Sequence, residues 1–451
     1  MKLTFLGAAQ TVTGSKYLLK LGSKKILIDC GLFQGHKALR LRNWDKFPID
    51  PRDIDVVILT HAHIDHSGYL PLLIKKGFKG KIFSSPGTKA LCSILLPDSG
   101  YLQEEEARHA NVHGYSKHKP ALPLYTEEEA RRALDYFSVV DFGVSYLLFE
   151  DVSFELHRAG HIIGASFVKI KMGKKIIVFS GDVGRPHDPV MKPPSIIQDA
   201  DYIVLESTYG DRLHDTTHPA PELERIINET VSRGGSVLIP AFAVGRAQCL
   251  LYYIYHLKQK GSIPNIPVFL DSPMAINATD ILCHYKNDHH LSETQCRGIC
   301  AVATYVNTQE ESKKLSAKGP SRIIISASGM AEGGRILHHL KVFAPDPSST
   351  ILFTGYQVEG TRGAKILKGD KTIDIHGETV SIQAHIEMLA SASAHADSAE
   401  LLEWLRHFNK APQKIFITHG ELTSATALAK KIEEYFGWPC VIPSYLQTED
   451  L

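Results

Sequence analysis

Short apolar runs that stop abruptly at polar residues recur through the first part of the chain. Lys25-Ile26-Leu27-Ile28 meets Asp29, and Val56-Val57-Ile58-Leu59-Thr60 meets His61. Phe154-Glu155-Leu156 leads shortly to His161, Ile176-Ile177-Val178-Phe179 to Gly181-Asp182, and Tyr202-Ile203-Val204-Leu205 to Glu206. Compact runs rich in β-branched residues, with glycine close by, predict buried strands. Each run ends in a loop, so the polar residues can gather at one edge of the sheets on a rigid support. The opening Met1 to Gln10 is too short an apolar stretch for a signal peptide and flows into Tyr17-Leu18-Leu19, so it is read as the first strand. A helix is predicted from Ser67 to Lys76, and another opens at Thr126, a capping residue followed by Glu127, Glu128 and Glu129.

From about Tyr209 the pattern changes to alternating helix and strand. Pro219 to Ser232 and Arg246 to Lys260 predict helices. Ser236 to Pro240, Val268 to Leu270, Arg322 to Ile325 and Thr350 to Phe353 predict strands. This alternation predicts a parallel α/β unit inserted into the first domain. The earlier style returns with Ala394-His395-Ala396-Asp397 before a helix from Ala399 to Phe408, and with Lys414 to Thr418 running into His419-Gly420-Glu421. The expected division is residues 1–208 as the first part of one domain, 209–376 as the insertion and 377–451 as the C-terminal part of the first domain.

Composition narrows the class. A chain of 451 residues exceeds one ordinary core, and 43% hydrophobic with 22% charged residues describes a globular protein. A net charge of +1 gives no general attraction to polyanions, so any nucleic acid must be drawn by a local groove or by metals. Among seven cysteines only Cys296 and Cys300 are close in sequence, and no second pair completes a structural zinc site. They are read as buried free thiols of a cytoplasmic protein. No segment approaches the ~18 apolar residues of a membrane span.

The candidate chemistry lies in His61-Ala62-His63-Ile64-Asp65-His66. His61 and His63 are two apart beyond a strand, so in extended backbone they point the same way. Asp65 and His66 follow on the turn into a helix. Imidazole and carboxylate donors suit zinc, with manganese or iron as alternatives. Four donors within six residues exceed one tetrahedral site that keeps a position open for water, so two metals are expected, with later residues completing both shells.

The whole chain resembles the metallo-β-lactamase-fold nucleases of the β-CASP group, which include the pre-mRNA cleavage and polyadenylation nuclease and its bacterial and archaeal relatives. The resemblance rests on Thr4-Phe5-Leu6-Gly7-Ala8-Ala9, Ile28-Asp29-Cys30-Gly31, His61 to Gly68, Asp182-Val183-Gly184 and Glu206-Ser207-Thr208-Tyr209-Gly210. It continues through Ser326-Ala327-Ser328-Gly329-Met330, Gly355-Tyr356-Gln357, Ser393 to Asp397 and His419-Gly420-Glu421. It implies an αββα metallo-β-lactamase sandwich with an inserted α/β β-CASP domain. It also implies one metal held by His61, His63 and His161, a second by Asp65, His66 and His419, and Asp182 bridging them. Asp29 would orient the centre as a carboxylate behind the ligands. His161 sits between glycines that permit close approach, a setting that His157 lacks.

The same resemblance gives His395 the role of proton donor to the leaving oxygen, with Glu206 holding and polarising it. Catalysis would then rest on Asp65, Asp182, Glu206 and His395 around a hydroxide activated by two zinc ions. The expected activity is a ribonuclease, in the first place an endonuclease, cutting single-stranded RNA in line to leave 5′-phosphate and 3′-hydroxyl ends. RNA is preferred because RNA-cutting members carry a histidine at the last motif, matched by His419. Ser328, Gly329 and Arg362 are candidate phosphate holders in the insertion, whereas Lys75-Lys76 to Lys81 and Lys117-His118-Lys119 read as solvated faces.

Two departures stand out. Ala392 replaces a larger hydrophobe common in the family, which implies looser packing behind His395. The chain also shows no added C-terminal domain of the RNase J kind after its last motif, which weakens an expectation of processive 5′ exonuclease action. The alternatives are a DNA nuclease, a small-ester or small-phosphodiester hydrolase of the same superfamily, and a non-catalytic RNA-binding scaffold. A homodimer is the assembly left open.

Overall fold

The computed structural model describes all residues except 115, 215–217, 318 and 390–392, so the departure at Ala392 lies outside the described residues. The chain forms two compact units. Met1–Leu213 together with His395–Leu451 make the first, and His214–Ala394 make the second.

In the first unit the apolar runs become two seven-stranded sheets. One sheet runs in the order Thr448–Asp450, Lys2–Phe5, Tyr17–Leu21, Lys24–Ile28, Val56–Ile58, Lys81–Ser84 and Phe137–Val139. The other runs Cys440–Val441, Lys414–Thr418, Tyr202–Glu206, Lys175–Phe179, Ser166–Met172, Val152–Arg158 and Tyr146–Phe149. Their apolar faces meet in one core, with Phe5 on Phe416 at 5.2 Å between ring centroids and Phe83 on Phe154 at 5.4 Å. Each such pair adds about 0.5–1.5 kcal/mol beyond its buried area. Helix Pro86–His113 packs on the strand Phe137–Val139 of the first sheet, and helix Leu422–Phe436 on Lys414–Thr418 of the second. The layers are therefore helix, sheet, sheet, helix, as the resemblance implies.

The second unit holds a six-stranded sheet in the order Thr304–Tyr305, Val268–Asp271, Ile323–Ser326, Val237–Pro240, Thr350–Phe353 and His385–Met388. Every pairing in it is parallel, the α/β architecture expected from the alternation. The division of the chain differs from the sequence boundaries at 208 and 376. His385–Met388 pairs with Thr350–Phe353, so residues 377–394 belong to the second unit, where the sequence assigned them to the C-terminal part of the first. A short, half-polar edge strand carries too little apolar periodicity to announce its sheet.

The predicted helix Ser67 to Lys76 is two helices, Ile64–Ser67 and Leu70–Lys75. The Thr126 cap is a full capping box with Glu129. All seven cysteines are free thiols, but Cys283 and Cys300, distant in sequence, have sulfurs 3.6 Å apart on neighbouring helices.

One buried charge pins the second unit. Asp271, at the end of its strand and with no exposed surface, accepts from Ser312 Oγ at 2.5 Å, His339 Nε2 at 2.6 Å and Arg335 Nη1 at 2.7 Å. Burial pushes its carboxyl up, but the three donors outweigh burial and hold it below the usual carboxylate value. Removing one member of a buried charge network costs about 3–5 kcal/mol. Asp271→Asn should therefore accelerate hydrogen exchange of the amides in Val268–Asp271 by about two to four orders of magnitude at neutral pH. Because the folded value lies below the unfolded one, this stabilisation is complete above about pH 4 and is lost as pH falls through the folded value. The gap between wild type and variant should close in acid, as followed by exchange mass spectrometry.

Candidate metal centre

The first unit delivers its polar residues from the carboxyl ends of strands. Asp29 follows Lys24–Ile28, and Thr60 and His61 follow the adjacent parallel strand Val56–Ile58. His63 stands at the N-cap position of the one-turn helix Ile64–Ser67, its side chain free of any capping bond, and that helix carries Asp65 and His66. In the other sheet the neighbouring parallel strands Lys175–Phe179, Tyr202–Glu206 and Lys414–Thr418 lead to Asp182, Glu206 and His419. His161 stands in the loop between Val152–Arg158 and Ser166–Met172, flanked by Gly160 at φ +73° and Gly164 at φ +76°. A side chain at Gly164 would strike the Thr88 amide nitrogen at 2.1 Å, so close approach there requires glycine.

These residues form two adjoining donor clusters. His61, His63, His161 and Asp182 each offer an atom, all within 4.8 Å of one another, and Asp65, His66 and His419 do the same. Asp182 faces both. Its Oδ2 lies 3.3 Å from His61 Nε2 and 3.5 Å from His161 Nε2, while its Oδ1 lies 3.2 Å from His66 Nε2 and 3.4 Å from His419 Nδ1. His161 Nε2 comes to 3.1 Å from His63 Nδ1, His66 Nε2 to 3.1 Å from His419 Nε2, and His419 Nε2 to 3.3 Å from Asp65 Oδ2.

The electrostatics separate the clusters. Burial, followed by the neighbouring charge of His66, takes His61 down to about 3, and burial likewise lowers His63 and His161. These three are neutral imidazoles, the form that ligates a metal. Burial also works against a charged His66, but Asp182 and Asp29 outweigh it and raise the group well above its ordinary value. Positive charge is what the two carboxylates favour at that point, whether carried by a proton or by a metal ion. Asp182 itself is held well below the carboxylate range by His419, His66 and His61 despite its burial.

The donors fit a divalent cation on one further observation. His61 Nε2, His63 Nε2 and Asp182 Oδ1 are enclosed and have no hydrogen-bond partner. Buried polar atoms are nearly always satisfied, so a converging group of unsatisfied imidazole nitrogens and a carboxylate oxygen marks a place for a cation.

Behind the donors lies a supporting layer. His66 donates its Nδ1–H to Asp29 Oδ2 at 2.7 Å, which leaves Nε2 facing the cluster. Asp29 also accepts from the Thr60 amide at 2.7 Å and the Thr60 hydroxyl at 2.9 Å. The fully buried Glu206 carboxylate accepts from the Val183 amide, from Thr208 Oγ1 at 2.7 Å and from His395 Nδ1 at 3.2 Å. His395 Nε2 then lies 4.0 Å from Asp182 Oδ2. Burial opposes its charge, but Glu206 and Asp182 raise its pKa to about 9, so it holds a proton at neutral pH.

The structure thus brings together His61, His63, Asp65, His66, His161, Asp182, Glu206, His395 and His419, with Asp29 behind them. His157 points into a separate pair with Glu155 at 3.0 Å. Ser328, Gly329 and Arg362 belong to the second unit. There Ser328 Oγ accepts from the Glu332 amide at 3.0 Å, and Arg362 is tied to the Asp374 carbonyl at 2.8 Å and to Glu332 at 3.6 Å. Sequence reasoning missed Thr60 and Thr208, whose one signal is their position beside His61 and Glu206. If the contact with Asp29 sets the ring of His66, Asp29→Ala should weaken divalent-metal affinity about 10–100-fold, as read by chelator competition.

Three family models match the chain. They are the metallo-beta-lactamase superfamily over residues 11–221, the Beta-Casp domain over 247–366 and the Zn-dependent metallo-hydrolase RNA specificity domain over 379–443. Ribonuclease TTHA0252 of Thermus thermophilus is 35% identical over 437 residues, covering 95% of each chain. Transcription termination factor FttA of Methanosarcina mazei is 31% identical over 458 residues, 96% of this chain and 69% of that protein. FttA of Methanocaldococcus jannaschii is 29% identical over 467 residues, 99% of this chain and 71% of that protein. A solved protein of unknown function from Enterococcus faecalis V583 shares the fold at TM-score 0.54 and 13% identity, covering 100% of this chain and 99% of that one.

Proposed function

This chain belongs to the metallo-β-lactamase-fold β-CASP ribonuclease family and is a metal-dependent nuclease, and from that premise we propose that it is a zinc-dependent endoribonuclease that cuts single-stranded RNA at a two-metal centre. The observation that carries this reading is Asp182, whose two carboxylate oxygens face separate clusters of donors. His61, His63 and His161 would hold one cation, Asp65, His66 and His419 the other, and Asp182 both. Zinc fits the histidine-rich set, and manganese or iron would fit it less closely. Bound cations supply activation of the attacking water at neutral pH and neutralise charge gathering on the phosphoryl oxygens.

The chain's own residues handle the proton of the leaving group. Water gives up a proton to solvent and adds to phosphorus in line as the bond to the 3′ oxygen breaks; His395 delivers its own proton to that oxygen and is then reprotonated from solvent, so the net cost is one water. Glu206 fixes the ring by accepting from Nδ1, which turns Nε2 towards the reacting group, and its charge keeps the imidazole protonated until transfer. The products carry 5′-phosphate and 3′-hydroxyl ends, and the 2′-hydroxyl takes no part.

RNA as substrate is supported by the match to an RNA specificity domain, which spans His395 and His419, and by a relative named as a ribonuclease. A scaffold role is disfavoured because every donor position is filled. Seven free thiols suit the reducing cytoplasm, and no helix among the described residues is long and apolar enough to cross a membrane.

End-labelled single-stranded RNA and DNA of one sequence, incubated with metal-loaded protein, test the reading. RNA should be cut internally, and Asp182→Ala should abolish cutting and lose bound metal by elemental analysis. A 2′,3′-cyclic phosphate product, or DNA cut as readily as RNA, would sink it. His395→Ala should lower kcat by about 10²–10⁴ with metal content unchanged, because the general acid is lost and the donors are not. A loss of metal in that variant would instead make His395 a ligand.

A further inference from the structure

The second unit holds a buried cation that no acid among the described residues neutralises. Arg246 opens the helix Arg246–Lys260 and is only 8% exposed. Its Nε is enclosed and has no hydrogen-bond partner, and no carboxylate among the described residues pairs with its guanidinium. The other buried or half-buried arginines of this unit are engaged. Arg335 binds Asp271, Arg322 donates to the carbonyls of Leu315, Ala317 and Pro320, and Arg233 donates to the Ser348 carbonyl. A largely buried guanidinium with an enclosed, unpartnered Nε and no carboxylate beside it is costly, so an arginine kept in that state points to a ligand that completes it.

Its place in the fold says which ligand. The strand Val237–Pro240 is flanked by Ile323–Ser326 on one side and Thr350–Phe353 on the other, all parallel. After Val237–Pro240 the chain moves towards Val268–Asp271, on the Ile323–Ser326 side. After Thr350–Phe353 it moves towards His385–Met388, in the opposite direction. The carboxyl ends of these two strands are therefore a topological switch point, where open α/β sheets bind ligands. Arg246 stands there. Its Nε and Nη2 lie 3.7 and 3.8 Å from where a Gly355 side chain would begin, and Phe242 lies 3.8 Å from the same point. The third loop closes in through Gly329, where a side chain would meet the Phe242 ring at 2.7 Å. Gln357 Nε2 braces the arrangement by donating to the carbonyls of Gly329 and Gly355 at 3.0 and 3.1 Å. The positive end of a helix, a planar fork of donors and bare glycine backbone suit a phosphate oxyanion.

We propose that Arg246, at the switch point of the second unit's sheet, is the anchor of an oxyanion site that takes a phosphate group. The neighbouring Arg362, tied by Glu332 and Asp374, does not serve there. That the phosphate comes from an RNA strand rests on the function proposed above, whereas the oxyanion site itself does not.

Two measurements separate these claims. The first is thermal unfolding of the zinc-loaded protein with and without millimolar inorganic phosphate. The second is binding of a labelled single-stranded RNA in a His395→Ala background, in which cutting is slowed by about 10²–10⁴ and binding is read before it proceeds. Arg246→Met keeps the bulk and removes the fork, and Arg246→Lys keeps the charge alone. The Met variant should melt no lower than wild type, since an unpaired buried charge is gone. It should lose the phosphate-induced rise in Tm and bind RNA about tenfold more weakly, with a salt dependence shallower by about 0.7, the share of one phosphate. The Lys variant should fall between them. Loss of the phosphate response with RNA binding intact keeps the site and assigns it to free phosphate. Unchanged phosphate response and RNA affinity overturn the proposal, and so does a Met variant that melts well below wild type while binding RNA normally.

Discussion

Thr60 holds the two sheets of the first unit together at their carboxyl ends. Its amide and hydroxyl both donate to Asp29, and its hydroxyl also reaches His61 Nδ1 at 3.1 Å. Its carbonyl accepts from the amide and hydroxyl of Ser166 in the opposite sheet. Gly181, one residue before Asp182, comes so near that a side chain on it would meet the Thr60 Cβ at 2.7 Å. One threonine thus fixes the distance between the loop that carries His61, His63, Asp65 and His66 and the loop that carries Asp182. Asp182 can face both donor clusters only because that distance is held.

The arrangement works against its own stability. Neutral imidazoles are packed with their lone pairs inward, and carboxylates are buried beside them. Such groups are tolerated because the sheets over-determine their positions and because a divalent cation completes them, so the free energy of metal binding is in part returned to the fold. The supporting contacts follow from this need. Asp29 sets the ring of His66, and Glu206 does the same for His395, each through an Nδ1–H donated to a carboxylate that is itself held by a threonine hydroxyl. Two histidines of different proposed roles are therefore oriented by one device, a carboxylate clamped from behind.

Much of this centre is legible in the sequence because its parts sit immediately after strands. A buried strand is recognisable from four or five apolar residues, and the polar residue that ends it is necessarily at a sheet edge. That is how His61, Asp182, Glu206 and His419 stand out. Long-range pairing is another matter. Nothing local in Asp29 or Thr60 says that they meet, because the contact spans the chain fold. The edge strand His385–Met388 has too little apolar pattern to reveal its parallel partner, Thr350–Phe353. Cys283 and Cys300 lie on different helices, and their proximity depends on how those helices pack.

Arginine shows the same limit from the other side. In sequence Arg362, set among glycines, looks like the anion binder, and Arg246 in Val244-Gly245-Arg246 looks no different from it. What separates them is whether the protein already satisfies the guanidinium. Arg362 has an acid and a carbonyl, and Arg246 has neither. Each unit, taken by itself, leaves a deliberate deficit at the carboxyl ends of parallel strands. The first leaves lone pairs that want cations, and the second leaves a cation that wants an oxyanion. The unsatisfied groups, rather than the satisfied ones, are where this fold declares its chemistry.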